Sequence, residues 1–559
     1  MQIHTPYSGF NQDSPRLINE YLNDKFLLDY LKVYLPQNIL DETCPDLSRF
    51  GKRAATELVD YARACESNPP QLVSYNAWGE RVDEIRVAPE WKKFRDIAAE
   101  EGLVAIGYER KYAEFSRLYQ FVKLYLFTPS SAMYACPLAM SDGAARLIEH
   151  FGDNFLKENS FRGLISRDAK KFLTSGQWMT ERTGGSDVSR SMTLAYYENG
   201  SYVLRGHKWF TSAILADMAF TLASTEQPQD GKRAPLSLFY MPIRNEDGSL
   251  NGIQIEALKD KLGTRALPTA QLLLTGAKAR LVSEKGKGVK TISTLFNVTR
   301  IYNTMTAVSY MRRAFGMSEA YGNIRETFGK KINKHILFQK SLTELKMTYE
   351  SNFLLGFFLI RLLGKEDCKK ASQNEIAVLR LLTPVSKLYT AKWAISSASE
   401  YIEMFGGLGY LEDTNVPWLL RDAQVLSIWE GTTNVLSLDM LRAIEKENGL
   451  KEYHFFAENL LESITSSELE YPKSLLNRKL KGLYDFLSKI SSSEEMEGNA
   501  RDIAFYFAEL TIGLLWLDFV QKNPDEEYLR AMNYWMQFRI REETLGSYKM
   551  ITGNVAIKK

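Results

Sequence analysis

From residue 14 to about 158 the apolar positions recur every three or four residues, as in Tyr21, Phe26, Leu27, Tyr30, Leu31 and Tyr34. That spacing lines one face of a 3.6-residue period and predicts helices, broken near Pro36 and Pro69. Between about 176 and 289 the texture changes. Short runs at 194–197, 202–204, 219–223, 236–240 and 271–274 are punctuated by Gly, Asn and Pro, which predicts strands. Asn199-Gly200 separates two of these runs, and a tight hairpin turn needs positive φ at both of its central positions. Helical spacing returns from 291 to about 447, with Met311, Phe315, Met317 and Ala320 among the inward candidates. It continues to the end of the chain, with breaks near Pro472, in the polar run 491–497 and at Pro524.

The fold class this implies is α+β and multidomain: an N-terminal helical domain (1–175), a central β domain (176–290), a helical bundle (291–447) and an extra C-terminal helical domain (448–559). At 559 residues the chain is too long for one core, so several packed units are expected. The most apolar stretches, 353–363 and 510–520, are too short or too interrupted by charge to cross a bilayer. Both read as buried helices, and no membrane partner is expected.

Composition narrows the function classes. Hydrophobic residues make up 45% and charged residues 25%, ordinary for a globular protein, and the net charge is +2. From Asn448 onward the acids, among them Glu494, Glu495, Glu497, Asp525, Glu526, Glu527, Glu542 and Glu543, at least match the bases. Lys558 and Lys559 form only a short basic end. Nucleic-acid binding is therefore not expected, because phosphate neutralisation needs surplus Lys and Arg. The four cysteines, Cys44, Cys65, Cys136 and Cys368, have no CxxC spacing, and the five histidines are scattered, so no metal site is expected. The opening MQIHTPYSGFNQDSP has neither secretory nor transit character, and a cytoplasmic location is expected.

Three segments carry candidate chemistry. The run Met179-Thr180-Glu181-Arg182-Thr183-Gly184-Gly185-Ser186 leaves a predicted strand for a loop whose small residues let backbone N–H groups approach an anionic ligand, or form an ordinary β-turn. In Gly206-His207-Lys208-Trp209-Phe210-Thr211-Ser212 two aromatic rings stand beside two hydroxyls at a strand end, suited to a flat heterocycle or to the core. Glu430, between Trp429 and Gly431, is either a base with a raised pKa or a solvated loop carboxylate. Gly406-Gly407-Leu408-Gly409 follows a helical pattern and lacks the strand and spacing of a dinucleotide fingerprint.

Read in order, the Met179–Val188 loop, the Lys208–Ser212 strand end, Arg325-Glu326-Thr327-Phe328-Gly329, Phe405-Gly406-Gly407-Leu408-Gly409 and Trp429-Glu430-Gly431-Thr432 resemble the acyl-CoA dehydrogenases. The resemblance covers about residues 75–445. It is nearest the AidB-like branch, on Trp78-Gly79-Glu80-Arg81-Val82-Asp83-Glu84, on Lys259-Asp260-Lys261-Leu262-Gly263-Thr264-Arg265 and on the helical extension after Ile444. It implies FAD, with Met179, Thr180, Gly185 and Ser186 at the flavin edge and pyrophosphate, and Phe210 and Ser212 as an aromatic wall and a hydroxyl donor. Arg325, Phe328, Gly406, Gly407, Thr432 and Asn434 would hold the adenosine and pyrophosphate, partly across a subunit boundary of a homotetramer built as a dimer of dimers.

The implied reaction is α,β-dehydrogenation of an acyl-CoA thioester, with Glu430 as base and an electron-acceptor protein as partner. Two positions depart from the pattern: Ile336 and Glu403 stand where many relatives carry Gln. Some relatives carry the base at the position of Thr299, which cannot do that work. The alternatives are an oxidase sharing the same base, or an AidB-like flavoprotein with a protective DNA-associated or acyl-lipid-binding role and little turnover.

Overall fold

The computed structural model describes residues 12–227 and 234–540. The opening residues 1–11, and Glu542, Glu543, Lys558 and Lys559, lie outside the described residues. The first block comprises α1 (Lys25–Tyr34), α2 (Gln37–Ala55), α3 (Glu57–Ser67), α4 (Pro89–Glu100), α5 (Ala105–Glu109), α6 (Ser116–Phe127), α7 (Ala135–Phe151) and the short α8 (Arg162–Leu164). Pro36 stands at the N-cap of α2, where its fixed φ suits a helix start. The expectation of a purely helical block is corrected by a hairpin, β1 (Gln71–Tyr75) and β2 (Arg81–Arg86). Asn76 Oδ1 accepts from the N–H groups of Trp78 and Glu80, each at 3.0 Å, and Gly79 supplies positive φ. The hairpin is fastened to the sheet by Asp83, which accepts from the Ile255 N–H at 2.9 Å.

Seven strands form the central sheet: β3 (Ser175–Trp178), β4 (Leu194–Glu198), β5 (Ser201–Ser212), β6 (Met218–Ser224), β7 (Leu236–Pro242), β8 (Ile253–Leu258) and β9 (Thr269–Leu281). The pairings β6–β4–β5–β9–β7–β6 return to their start, so these strands curl into a closed layer with few free edges; β3 and β8 pair outside the ring. Asn199 and Gly200 join β4 to β5 with φ of 48° and 81°, as a tight turn requires.

The helical bundle follows: α9 (Gly288–Ile324), α10 (Ile336–Asp367), α11 (Gln373–Met404), α12 (Val416–Leu426) and α13 (Thr433–Lys446). Helix α9 is buried on most of its circumference from Val298 to Arg312, which makes it the central helix of the bundle. Met311 is fully buried, whereas Phe315, Met317 and Ala320 are only partly so. A capping box of Ser372 and Glu375 starts α11.

The extra helices are α14 (Gly449–Ser463), α15 (Glu470–Lys489), α16 (Ser493–Lys522) and α17 (Glu526–Arg539). The break near Pro472 falls at 464–469, and Pro472 itself lies in the first turn of α15. Among the described residues one helix, α16, is long and apolar enough to cross a membrane. Its most apolar window is 83% buried within the fold, so it packs as a core helix, with the Trp516 Nε1 donating to Ser351 of α10 at 3.0 Å.

Candidate active site

Strand β3 ends at Trp178, and the chain leaves it through the buried Met179 and the half-buried Thr180. Two bonds tie this exit to the end of β5. The Trp209 N–H donates to the Thr180 carbonyl at 2.9 Å, and Trp178 Nε1 donates to the Ser212 carbonyl at 3.2 Å. The loop beyond is shaped by Glu181, which periodicity does not single out. Its buried carboxylate accepts from Lys208 Nζ at 2.9 Å, Thr193 Oγ1 at 2.5 Å, the Met192 N–H at 2.6 Å, and Ser191. Burial raises its pKa, but Lys208 and the hydroxyl donors more than offset that and hold the carboxyl below the usual range. Gly185 and Ser186 stay exposed in this loop, and a Cβ on Gly185 would come within 2.6 Å of Thr180 Oγ1. Phe210 turns outward at the strand end, 54% exposed, with Ser212 two residues on.

Glu430 lies in the turn between α12 and α13, with φ of 56°, followed by Gly431 with φ of 105°. Its Oε1 accepts from Gln177 Nε2 of β3 at 2.6 Å and its Oε2 from Thr299 Oγ1 of α9 at 2.6 Å. Trp429 Nε1 donates to Asn303 Oδ1 at 2.5 Å, Arg300 Nε to the Glu430 carbonyl at 3.4 Å, and Lys387 Nζ to the Gly431 carbonyl at 2.6 Å. Burial pushes the Glu430 pKa up, partly countered by Thr299, Arg300, Lys387 and Gln177. The solvated-loop reading of this residue is thereby corrected. Gln177 and Lys387 carry no local signal for this role, and Thr299, unable to act as a base, is a donor to one.

Thr432 is the N-cap of α13, but its hydroxyl makes no capping bond, and Asn434 is exposed in the first turn. The remaining predicted residues form a second group. A cavity of 690 Å³ is lined by Arg325, Phe328, Gly406 and Gly407 together with Glu400 and Glu403. Gly406 has φ of 59°, and neither Gly406 nor Gly407 has a neighbour within reach of an added Cβ. Phe328 is 97% exposed, while Ile336 opens α10 and does not line the cavity.

Family models match nearly the whole described length up to the extra helices: the adaptive response protein AidB N-terminal domain over residues 11–195, the acyl-CoA dehydrogenase middle domain over 176–277 and the acyl-CoA dehydrogenase C-terminal domain over 286–445. Acyl-CoA dehydrogenase family member 11 of Caenorhabditis elegans is 43% identical over 538 residues, 92% of this chain and 87% of that protein. The chain belongs to the acyl-CoA dehydrogenase family. Within the family it is AidB-like: the putative acyl-CoA dehydrogenase AidB of Escherichia coli is 30% identical over 74% of this chain and 76% of its own. The crystal structure of C. elegans ACDH-11 in complex with C11-CoA superposes with a TM-score of 0.93 at 40% identity, covering 99% of this chain and 98% of that one. This match extends the family fold through the extra C-terminal helices.

Proposed function

We propose that this protein is an FAD-dependent acyl-CoA dehydrogenase in which Glu430 takes the α-proton of an acyl thioester. One arrangement carries the reading: a carboxylate with a raised pKa, aimed by Gln177 and Thr299, stands in hydrogen-bonded continuity with the loop and strand end that carry Thr180, Phe210 and Ser212. The residues fit the cofactor. An isoalloxazine needs a flat apolar wall and polar donors at its edge, which Phe210 and the hydroxyls of Thr180 and Ser212 supply beside the buried Met179. Gly185 and Ser186 leave backbone room for phosphate, as do Gly406 and Gly407. Arg325 brings a guanidinium to the cavity that Phe328 lines, with Thr432 and Asn434 assigned to the same cofactor at the start of α13.

Bound FAD would supply the hydride acceptor for the β-carbon. The chain's own work is to orient the acyl group, exclude water and hold the proton at the Glu430 carboxylate until it returns to solvent. Thr299 lies in the first half of α9 and Arg325 at its C-terminal cap, roughly 39 Å apart at 1.5 Å per residue. A cofactor site shared between subunits is the reading that accommodates both groups of residues. The C11-CoA seated in the C. elegans relative supports an acyl-CoA as substrate, with an electron-acceptor protein reoxidising the flavin.

The test is anaerobic. Acyl-CoAs of increasing chain length are added to the flavin-loaded protein and the flavin absorbance is followed. Bleaching at one or more chain lengths is expected. Tight flavin binding with no bleaching by any of them would turn the assignment toward acyl binding without turnover.

A further inference from the structure

Two consecutive residues at the site have positive φ, and the first of them, Glu430, is not a glycine. Glu430, with φ of 56°, is a non-glycine residue in the left-handed region, a strained conformation that persists only if the surroundings over-determine it. Gly431 follows at φ of 105°. The support comes from two cations on different helices, one at each carbonyl. Arg300 of α9 donates to the Glu430 carbonyl and is itself held by Asp439 at 2.6 Å. Lys387 of α11 donates to the Gly431 carbonyl at 2.6 Å.

The two cations differ in one respect. Arg300 has a carboxylate partner within 4 Å, whereas Lys387 has none among the described residues and is fully buried. A buried ammonium without a carboxylate in contact is costly. Of the charges that act on it, the Glu430 carboxylate favours its ionised form, while Arg300 and Lys392 oppose it. The reverse also holds, since Lys387 is one of the charges that offset the desolvation of Glu430.

We propose that Lys387 is a positioning residue of this site: through the Gly431 carbonyl it fixes the left-handed turn that aims Glu430, and together with Arg300 its buried side chain sets the charge against which that carboxylate ionises. The assignment rests on the dehydrogenase reading above. Lys387 touches neither the carboxylate nor a bound group, so it acts on the reaction only through Glu430. The charged and titratable groups facing Glu430 are Arg300 from α9, Lys387 from α11 and the Cys136 thiol from α7; Lys392 and Arg300 in turn act on Lys387. Burial pulls Lys387 down to about 7, and the Glu430 carboxylate partly counters this.

The experiment compares the parent holoprotein with Lys387→Met and Lys387→Arg. Infrared difference spectra, referenced to Glu430→Gln, read the ionisation of the Glu430 carboxylate in the resting protein without any acyl-CoA. Lys387→Met should keep its flavin and move that ionisation upward by about one pH unit, a roughly tenfold loss of ionised base below the new midpoint. Lys387→Arg should keep it near the parent value. Where an acyl-CoA bleaches the parent, the pH profile of flavin reduction should move in the same direction. An unchanged Glu430 midpoint in Lys387→Met overturns the proposal, even if the variant is slower at every pH, because slowing alone is what a merely structural lysine would produce. If Lys387→Met does not retain flavin, Lys387→Gln removes the charge while keeping a donor, and the same midpoint decides. The infrared readout stands apart from turnover, so a parent that no acyl-CoA reduces defeats the dehydrogenase reading and not this measurement.

Discussion

Gln177 Nε2 donates to Glu430 Oε1 at 2.6 Å, joining the end of the β domain's first strand to the turn between two helices 253 residues later. Thr299 Oγ1 holds the other oxygen at the same distance, so each carboxylate oxygen accepts from one neutral donor. A donor to the charged form favours that form and lowers the pKa of an acid. Removing one should therefore raise it. Thr299→Val, which keeps the side-chain shape, should displace the pH profile of flavin reduction by up to about one unit. The displacement is toward alkaline pH, because the base must lose its proton before it can act. A profile that stays in place would mean that the Thr299 bond is absent in the working enzyme.

Replacing the base itself gives a larger effect of another kind. Glu430→Gln retains the carbonyl oxygen that accepts from Thr299 or Gln177 and has nearly the same shape, but it cannot take a proton. Flavin content and acyl-CoA binding should be preserved, while the rate of flavin reduction falls by roughly two to four orders of magnitude. Stopped-flow mixing with whichever acyl-CoA bleaches the parent measures this directly. Equal rates in parent and variant would remove Glu430 from the mechanism.

How much of this was legible in the chain follows from what each feature depends on. Strands β4, β5, β6, β7 and β9 appear as short β-rich runs, and the Asn199-Gly200 turn appears because only a few residue types adopt positive φ. Hairpin β1–β2 did not register, since neither strand carries period-2 burial: β1 is half-buried through its middle, and β2 buries only Asp83. Glu430 stood out between Trp429 and Gly431, but its donors arrive from 253 and 131 residues away, and no local pattern announces such contacts. Lys387 reads as one more charge in a helix until the fold buries it, and Glu181 as one more loop acid until Lys208 reaches it. The departure at Glu403 was visible, whereas the second acid beside it, Glu400, becomes apparent only through the shared cavity.

That cavity makes its own prediction. Arg325 lines it together with Glu400 and Glu403, and its Nη1 donates to Gln12 at 2.8 Å. Loss of the guanidinium removes a bidentate partner for phosphate and leaves two carboxylates facing it. Arg325→Ala should lose FAD on dialysis under conditions in which the parent keeps it, and Glu403→Gln should bind FAD more tightly than the parent. Equilibrium titration followed by flavin fluorescence reads both. Retention of FAD by Arg325→Ala as tightly as by the parent would assign the cavity to something other than this cofactor.

The last prediction concerns stability and lies where the extra helices dock. Glu350 of α10 is buried, its Oε2 has no hydrogen-bond partner, and its nearest cation, Lys346 Nζ, is 3.8 Å away and shared with Glu527. Burial pushes its pKa from 4.5 up to about 8; Lys346 counters this in part, while Glu527 and Asp24 add to it. Between those two values the folded protein keeps the proton and the unfolded chain has lost it. Unfolding therefore releases a proton throughout that window, and stability falls as pH rises from about 4.5 to about 8, with nothing further lost above it. Glu350→Gln has no proton to release and should flatten this part of the dependence. Thermal melts at pH 5.5 and 8 should differ by several degrees less in the variant than in the parent, with the gain concentrated at pH 8. The same slope in both proteins would mean that Glu350 is ionised in the fold, with water or a rearranged Lys346 reaching the oxygen that has no partner here.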